Sequence, residues 1–386
     1  MRGLVGGTLL CFIFSLHAQD PQKTVTVPDT AVLVRDKTVT GPDTTVSVRD
    51  TTVSVPDTTG PADTLCIIGT GDIMLGTSYP SPAYLPPGGD CSPLLRPVYP
   101  ILQSGDVLFG NLEGVFCREG GTPKECLDTT RCYVFRMPDH FAGCLVEAGY
   151  DVLSVANNHV NDFGPEGRES TARLLDSLEI AFAGFTSHPW ALFEKGGVTY
   201  GFAAFAPNKG TMDLLDYSGA EAITALLDSL ADVVIISFHG GAEGKEHQHV
   251  IRGDEEYLGT NRGSVYRFAH GVVDAGADVV FGHGPHVTRA LELYRDRLIC
   301  YSLGNFATYR RFNLSGPNGI APVVKVYTDR EGRFLYGKVD AVYQPGEGGP
   351  RPDPRNRAVS VIRELSTADF PDQDLLIGAD GSLGRK

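Results

Sequence analysis

From residue 64 onward the chain repeats one pattern: a short apolar run rich in β-branched residues, stopping abruptly in polar ones. Such runs stand at 65–68, 106–109, 152–155, 233–237, 278–281 and 298–302, and their length and Gly-rich flanks predict buried strands. Further strands are predicted at 133–135, 180–183, 199–205, 289–293, 323–327 and 335–342. Helices are predicted over 138–148, 167–178, 219–230 and 264–275; in the second of these, Leu174, Leu175 and Leu178 share a face. Residues 77–100 are rich in Pro, Gly and Ser and read as a long loop. Strands alternating with helices imply an α/β fold.

The polar stops are of one chemical kind: Asp72; Asn111 with Glu113; Asn157, Asn158, His159 and Asp162; His239 with Glu243; His283 with His286; and Asn305. In an α/β sheet such strand ends converge on one crevice. The densest stop is 157–162, where unpaired burial would cost about 1–3 kcal/mol per group. Read alone, it is either an Asn-rich turn leading into a helix or part of a site. A lone strand-end histidine is often structural, and Asp72 alone reads as a helix cap. Capping does not explain six such stops in succession. Carboxylate, imidazole and amide oxygen without thiolate make a donor set suited to Mn, Fe, Zn or Mg. Asn157 reads as a brace for its turn.

Composition narrows the setting. The 386 residues are 42% hydrophobic and 21% charged, which is ordinary for a globular chain, and the formal charge of -14 argues against nucleic acid or an anionic membrane as partner. Residues 1–18 read as a secretory signal, with Arg2, an apolar stretch over 4–16 and Leu16-His17-Ala18 before the expected cut. Export to the periplasm, the cell surface or the medium is therefore expected. In residues 19–63, Pro-Asp-Thr recurs at 28, 42 and 56 and Val-Arg-Asp at 34 and 48, a Thr- and Pro-rich repeat that reads as a disordered tether. The folded domain is placed at 64–345, with 346–386 as a peripheral tail containing one short helix near 359–365. One or two disulfides are expected among Cys91, Cys117, Cys126 and Cys132. Cys66, Cys144 and Cys300 fall in apolar patterns and are expected as core residues.

Six segments carry a family resemblance: Gly71-Asp72-Ile73-Met74-Leu75-Gly76, Gly110-Asn111-Leu112-Glu113, Ala156-Asn157-Asn158-His159 with Asp162 and Gly164, His239 with Glu243, Gly282-His283-Gly284-Pro285-His286, and Tyr301-Ser302-Leu303-Gly304-Asn305-Phe306. In this order, across residues 65–345, they resemble the CapA family of bacterial capsule-synthesis proteins associated with poly-γ-glutamate. That family is similar to the calcineurin-like metallophosphatases, so the resemblance implies a four-layer α/β/β/α sandwich. It implies metal ligation by Asp72, Glu113, Asn158, His239, His283 and His286, with His159 as general acid. Glu113, Glu243 and Asp162 compete for the roles of ligand, base and histidine orienter. The chain departs from the metallophosphatase pattern at Met74, where a histidine is usual, and from the family's at Gly244 and Gly284. The expected cofactor is one or two divalent ions. The implied function is capsule biosynthesis through a metal-dependent hydrolase-like or acyl- or phosphoryl-transferase-like site. An anionic polymer or a small phospho- or acyl substrate would be acted on, and a membrane capsule-synthesis complex is the expected partner. The alternatives are a secreted phosphoesterase and a non-catalytic polymer-binding subunit. Arg136 and Lys209 read either as anion-holding groups or as surface charge.

Overall fold

Period-two alternation splits the strands between separate cores. Ile67 and Phe109 point into one hydrophobic cluster while their neighbours Ile68 and Leu108 point into another. Ile235 and Val279 share the first cluster, and Ile236 and Val280 enter a third. The shared cluster lies between two sheets, and the other two lie outside them under helices. The computed structural model describes residues 64–125 and 133–386. The expected signal segment, the 19–63 repeat, Cys126 and Cys132 lie outside the described residues.

The first sheet has ten strands. Its central path runs from Phe334–Tyr343 through Ile320–Thr328, Leu65–Met74, Val107–Leu112 and Val152–Ser154 to Ala181–Ala183. The last four are mutually parallel, and Asn305–Thr308 also pairs parallel with Leu65–Met74. The second sheet has six strands, in the order Leu291–Tyr294, Arg297–Cys300, Val279–His283, Val233–His239, Val198–Phe205 and Trp190–Lys195; its inner four are parallel. The helices Ala142–Ala148 and Gly164–Ser177 cover the outer face of the first sheet through Leu145, Ala172 and Leu175. Tyr217–Asp228 and Val265–Asp274 cover the outer face of the second through Leu227, Phe268 and Val272. The result is the expected four-layer sandwich. Among the described residues, no helix is long and apolar enough to cross a membrane.

Several expectations need correction. Residues 346–386 are not peripheral: Ser382–Arg385 pairs with Phe334–Tyr343, and the helix Arg357–Asp369 buries Val359 and Ile362 in the middle core. Cys144 is not a free core thiol, because it forms a disulfide with Cys91 across 53 residues. Cys66 and Cys300 are buried free thiols as expected, and Cys117 is another. The strand Trp190–Lys195 was not anticipated: it is a half-exposed edge strand whose apolar run, Trp190 to Phe193, leads into Glu194 and Lys195 and not into a polar stop of the site kind. The 77–100 loop contains short helical turns at Ser92–Leu95 and Tyr99–Leu102.

Candidate metal centre

Strand register brings the polar stops together. Asp72 lies opposite Asn111 on one side and Asn305 on the other, and a break in register after Asp72 re-aims the end of its strand. In the second sheet His283 lies opposite His239. The two sheets meet at this end, where His283 Nδ1 is 3.3 Å from Asp72 Oδ1. His286 sits in the loop beyond, with φ 56°, and its Nδ1 is 2.8 Å from Asp72 Oδ2. Gly284 is required in this loop: at φ 115° a Cβ there would stand 2.5 Å from Gly240 O. Asn305 holds the loop by donating from Nδ2 to His286 O.

Two carboxylates form the heart of the cluster, and Asn111 bridges them. Its Nδ2 donates to Asp72 Oδ1 at 2.8 Å and to Glu113 Oε2 at 2.6 Å, using both amide hydrogens on acceptor-only groups. Its Oδ1 accepts from Asn157 Nδ2. Asn157 also donates to Leu112 O and accepts from His159 N, so it braces the turn. Glu113 Oε1 is 3.3 Å from His239 Nε2 and 3.9 Å from His159 Nε2. His159 Nδ1 is 2.7 Å from Asp162 Oδ2, which also accepts from Phe135 N. A carboxylate cannot donate, so Nδ1 carries the proton and Nε2 faces Glu113. Phe135 stacks on the His159 ring at 4.2 Å and on Phe312, which meets His286 edge-on.

The charges are strongly coupled. Burial alone would raise the pKa of Asp72, but His283 and His286 outweigh it and hold the carboxyl well below its usual range. Burial likewise opposes ionisation of Glu113, yet attraction to His239 brings it down to about 2 against repulsion from Asp72. Burial would lower His286, but its bond to Asp72 pushes it up to about 10.

Several buried atoms here lack any hydrogen-bond partner: Glu113 Oε1, both ring nitrogens of His239 and of His283, Asn158 Oδ1 and Asn305 Oδ1. The 3.3 Å approaches of His239 and His283 to the carboxylates fall outside hydrogen-bonding geometry. Buried polar atoms are rarely left so, and each demands an explanation. Ligand atoms of Glu113, His239 and His286 all lie within 4.8 Å of one another. Oxygen and imidazole donors gathered in this way fit a divalent ion.

The expected site residues therefore divide. Asp72, Glu113, His159, His239, His283 and His286 come together, and Asp162 orients His159. Asn158 is half-buried, with its Oδ1 unsatisfied. Glu243 is instead paired with Arg262, whose Nη1 is 3.3 Å away. Met74 is fully buried in the core under the helices. Arg136 lies over the Phe163 ring and donates to Gly120 O, while Lys209 is exposed and offers its carbonyl to Asn161. The bridging role of Asn111 and the shelf made by Phe135 and Phe312 were not read from the sequence. Asn111 was visible as a strand-end amide, but nothing in the sequence marked the two phenylalanines.

Comparison with known proteins bears on this geometry. The chain is 28% identical to "PGA biosynthesis protein CapA" of Bacillus subtilis (strain 168) over 322 residues, covering 79% of this chain and 78% of that one. It is 27% identical to "Capsule biosynthesis protein CapA" of Bacillus anthracis over 232 residues, covering 55% of this chain and 53% of the relative, so it spans about half that protein's length. Among solved structures, a putative 5'-nucleotidase from Staphylococcus aureus superposes with TM-score 0.40 at 13% identity, covering 78% of this chain and 58% of that one. The family model "Bacterial capsule synthesis protein PGA_cap" matches residues 66–310, well over half the chain, and the protein belongs to that family.

Proposed function

We propose that this chain is an exported capsule-biosynthesis protein whose strand-end cluster binds a divalent metal and performs hydrolase- or transferase-type chemistry. Its substrate would be an anionic polymer of the poly-γ-glutamate kind, or a small phospho- or acyl compound that feeds it. The observation carrying the reading is the convergence of Glu113, His239 and His286 beside ring nitrogens and carboxylate oxygens with no other partner. Family membership and the capsule-synthesis names of the Bacillus relatives support the biological setting. Residues 1–18 support export, and the Cys91–Cys144 disulfide is in keeping with an oxidising compartment.

Glu113, His239 and His286 would hold the ion, with Asp72, Asn158 and His283 beside them. When bound, a divalent ion polarises a carbonyl or phosphoryl oxygen and generates a nucleophile from water near neutral pH. The chain's own part centres on His159. Asp162 keeps one proton on Nδ1, Phe135 fixes the ring plane, and Nε2 is presented towards Glu113. A second proton, taken up on Nε2 from solvent, is the one the ring can hand to a leaving group, which returns it to the Nδ1-protonated form. Asn111 holds Asp72 and Glu113 side by side by donating to both. Phe135 and Phe312 form an apolar wall that excludes water from one side of the centre.

The test is turnover of a γ-glutamyl amide and of a phosphoester by protein with metal, after chelation, and as His159→Ala. The reading expects turnover of at least one probe, lost on chelation and in His159→Ala while the variant keeps its metal. Metal binding without turnover, with polymer binding intact in His159→Ala, would mark a binding subunit instead.

A further inference from the structure

Arg262 is only 5% exposed, and its guanidinium is incompletely used. Nε donates to Gly241 O, and Nη1 makes a single 3.3 Å contact with Glu243, but Nη2 has no hydrogen-bond partner. A buried arginine normally spends its fork on two parallel bonds to one carboxylate, so a lone contact with one nitrogen left over is unusual.

The position of this guanidinium is fixed by the metal-centre strands. Arg262 O accepts from Gly241 N, two residues beyond His239. Gly240 N donates to His283 O, and Gly244 N donates to Pro285 O, next to His286. Glu243, between these contacts, is close enough to help raise the pKa of His286. The Arg262–Glu243 pair thus stands where the loop after His239 packs on the His283–His286 segment.

We propose that Arg262 is an anion-binding residue at the edge of the centre. Its Nη2 would take an oxyanion of the substrate, either a carboxylate or a phosphate oxygen. Glu243 would occupy Nη1 as a built-in competitor that keeps the guanidinium in place between turnovers. The assignment rests on the substrate being anionic, as in the reading above. It gives Arg262 a binding role, and it gives Glu243 a gating role in place of metal ligation or catalysis.

The test uses the full chain and two probes, inorganic phosphate and glutarate, with binding followed by calorimetry and metal content recorded for every sample. The two probes separate a phosphate source from a carboxylate source, and the metal record separates loss of the centre from loss of the anion donor. Arg262→Met should weaken the preferred probe by about tenfold or more, the size of one hydrogen bond to a charged group, with metal content unchanged. Glu243→Gln should tighten the same probe severalfold by freeing Nη1, and that gain should be absent in the Arg262→Met background, where a mere through-space effect of the lost charge would still show it. If Arg262→Met does not fold, Arg262→Lys takes its place. Wild type that binds neither probe, unchanged binding in the variants, or weaker binding in Glu243→Gln would overturn the assignment.

Discussion

Two buried polar clusters lie on neighbouring loops of this protein and are built on opposite plans. Arg289 is fully buried, and all its nitrogens are engaged: Nε with His247 O, Nη1 and Nη2 with the two oxygens of Glu255, and Nη2 also with Ala242 O. Glu255 also accepts from Ala242 N. The strand-end cluster is just as buried yet leaves Glu113 Oε1 and four imidazole nitrogens without partners. Single unpartnered atoms occur elsewhere, as at Tyr200 Oη and Thr328 Oγ1; what sets the second cluster apart is the gathering of several unpartnered carboxylate and imidazole atoms at one point, the pattern on which the metal-centre proposal rests.

The comparison can be broken most severely at the completed pair. Arg289→Ala should cost about 3–5 kcal/mol in urea unfolding, because it strands a buried carboxylate. His239→Ala should cost the metal-free protein less than Arg289→Ala, because it breaks no hydrogen bond, although it leaves a cavity and removes the attraction that helps keep Glu113 ionised. Equal losses at the two sites would erase the distinction.

A second effect comes from pH. With His286 pushed up to about 10 by Asp72, the metal-free folded protein holds a proton that the unfolded chain sheds near the ordinary histidine value. This stabilisation is fully present below pH ~6.5 and is lost as pH rises towards 10, at up to about 1.4 kcal/mol per pH unit. Asp72→Asn should flatten that slope in unfolding titrations, and a slope unchanged in the variant would contradict the coupling.

Smaller effects refine the picture. Asn111→Ala removes the bridge between Asp72 and Glu113 and should weaken metal affinity by about 10–100-fold in competition titrations. Met74→Leu should cost less than about 1.5 kcal/mol and leave metal content unchanged, because Met74 packs in the core.

Much of this was legible in the sequence where burial was complete. The strands Val107–Leu112, Val233–His239 and Val279–His283 are buried at every position, so their apolar runs and polar ends stand out. The edge strand Trp190–Lys195 is not buried in this way, and its apolar run ends in Glu194 and Lys195, without a polar stop of the site kind. The candidate site was legible as a list of donors, but not as pairings. Glu243 and Arg262 meet only because the loop between them folds back. Cys144 looked like a core residue because its helix face is apolar, and only the fold brings Cys91 beside it. The tail beyond residue 345 looked peripheral because it is rich in Pro, Gly and charged residues; its short strand Ser382–Arg385 is held by backbone pairing to Phe334–Tyr343, which composition does not show.

The central claim is that the strand-end cluster is a metal centre. Its most direct test is elemental analysis of the purified protein after loading with Mn, Fe, Zn or Mg, beside Glu113→Ala and His239→Ala variants checked for folding. The account predicts about one divalent ion or more per wild-type chain, removable by a chelator, and close to none in either folded variant. A wild-type protein that takes up none of these ions, or folded variants that bind as much as wild type, would contradict it.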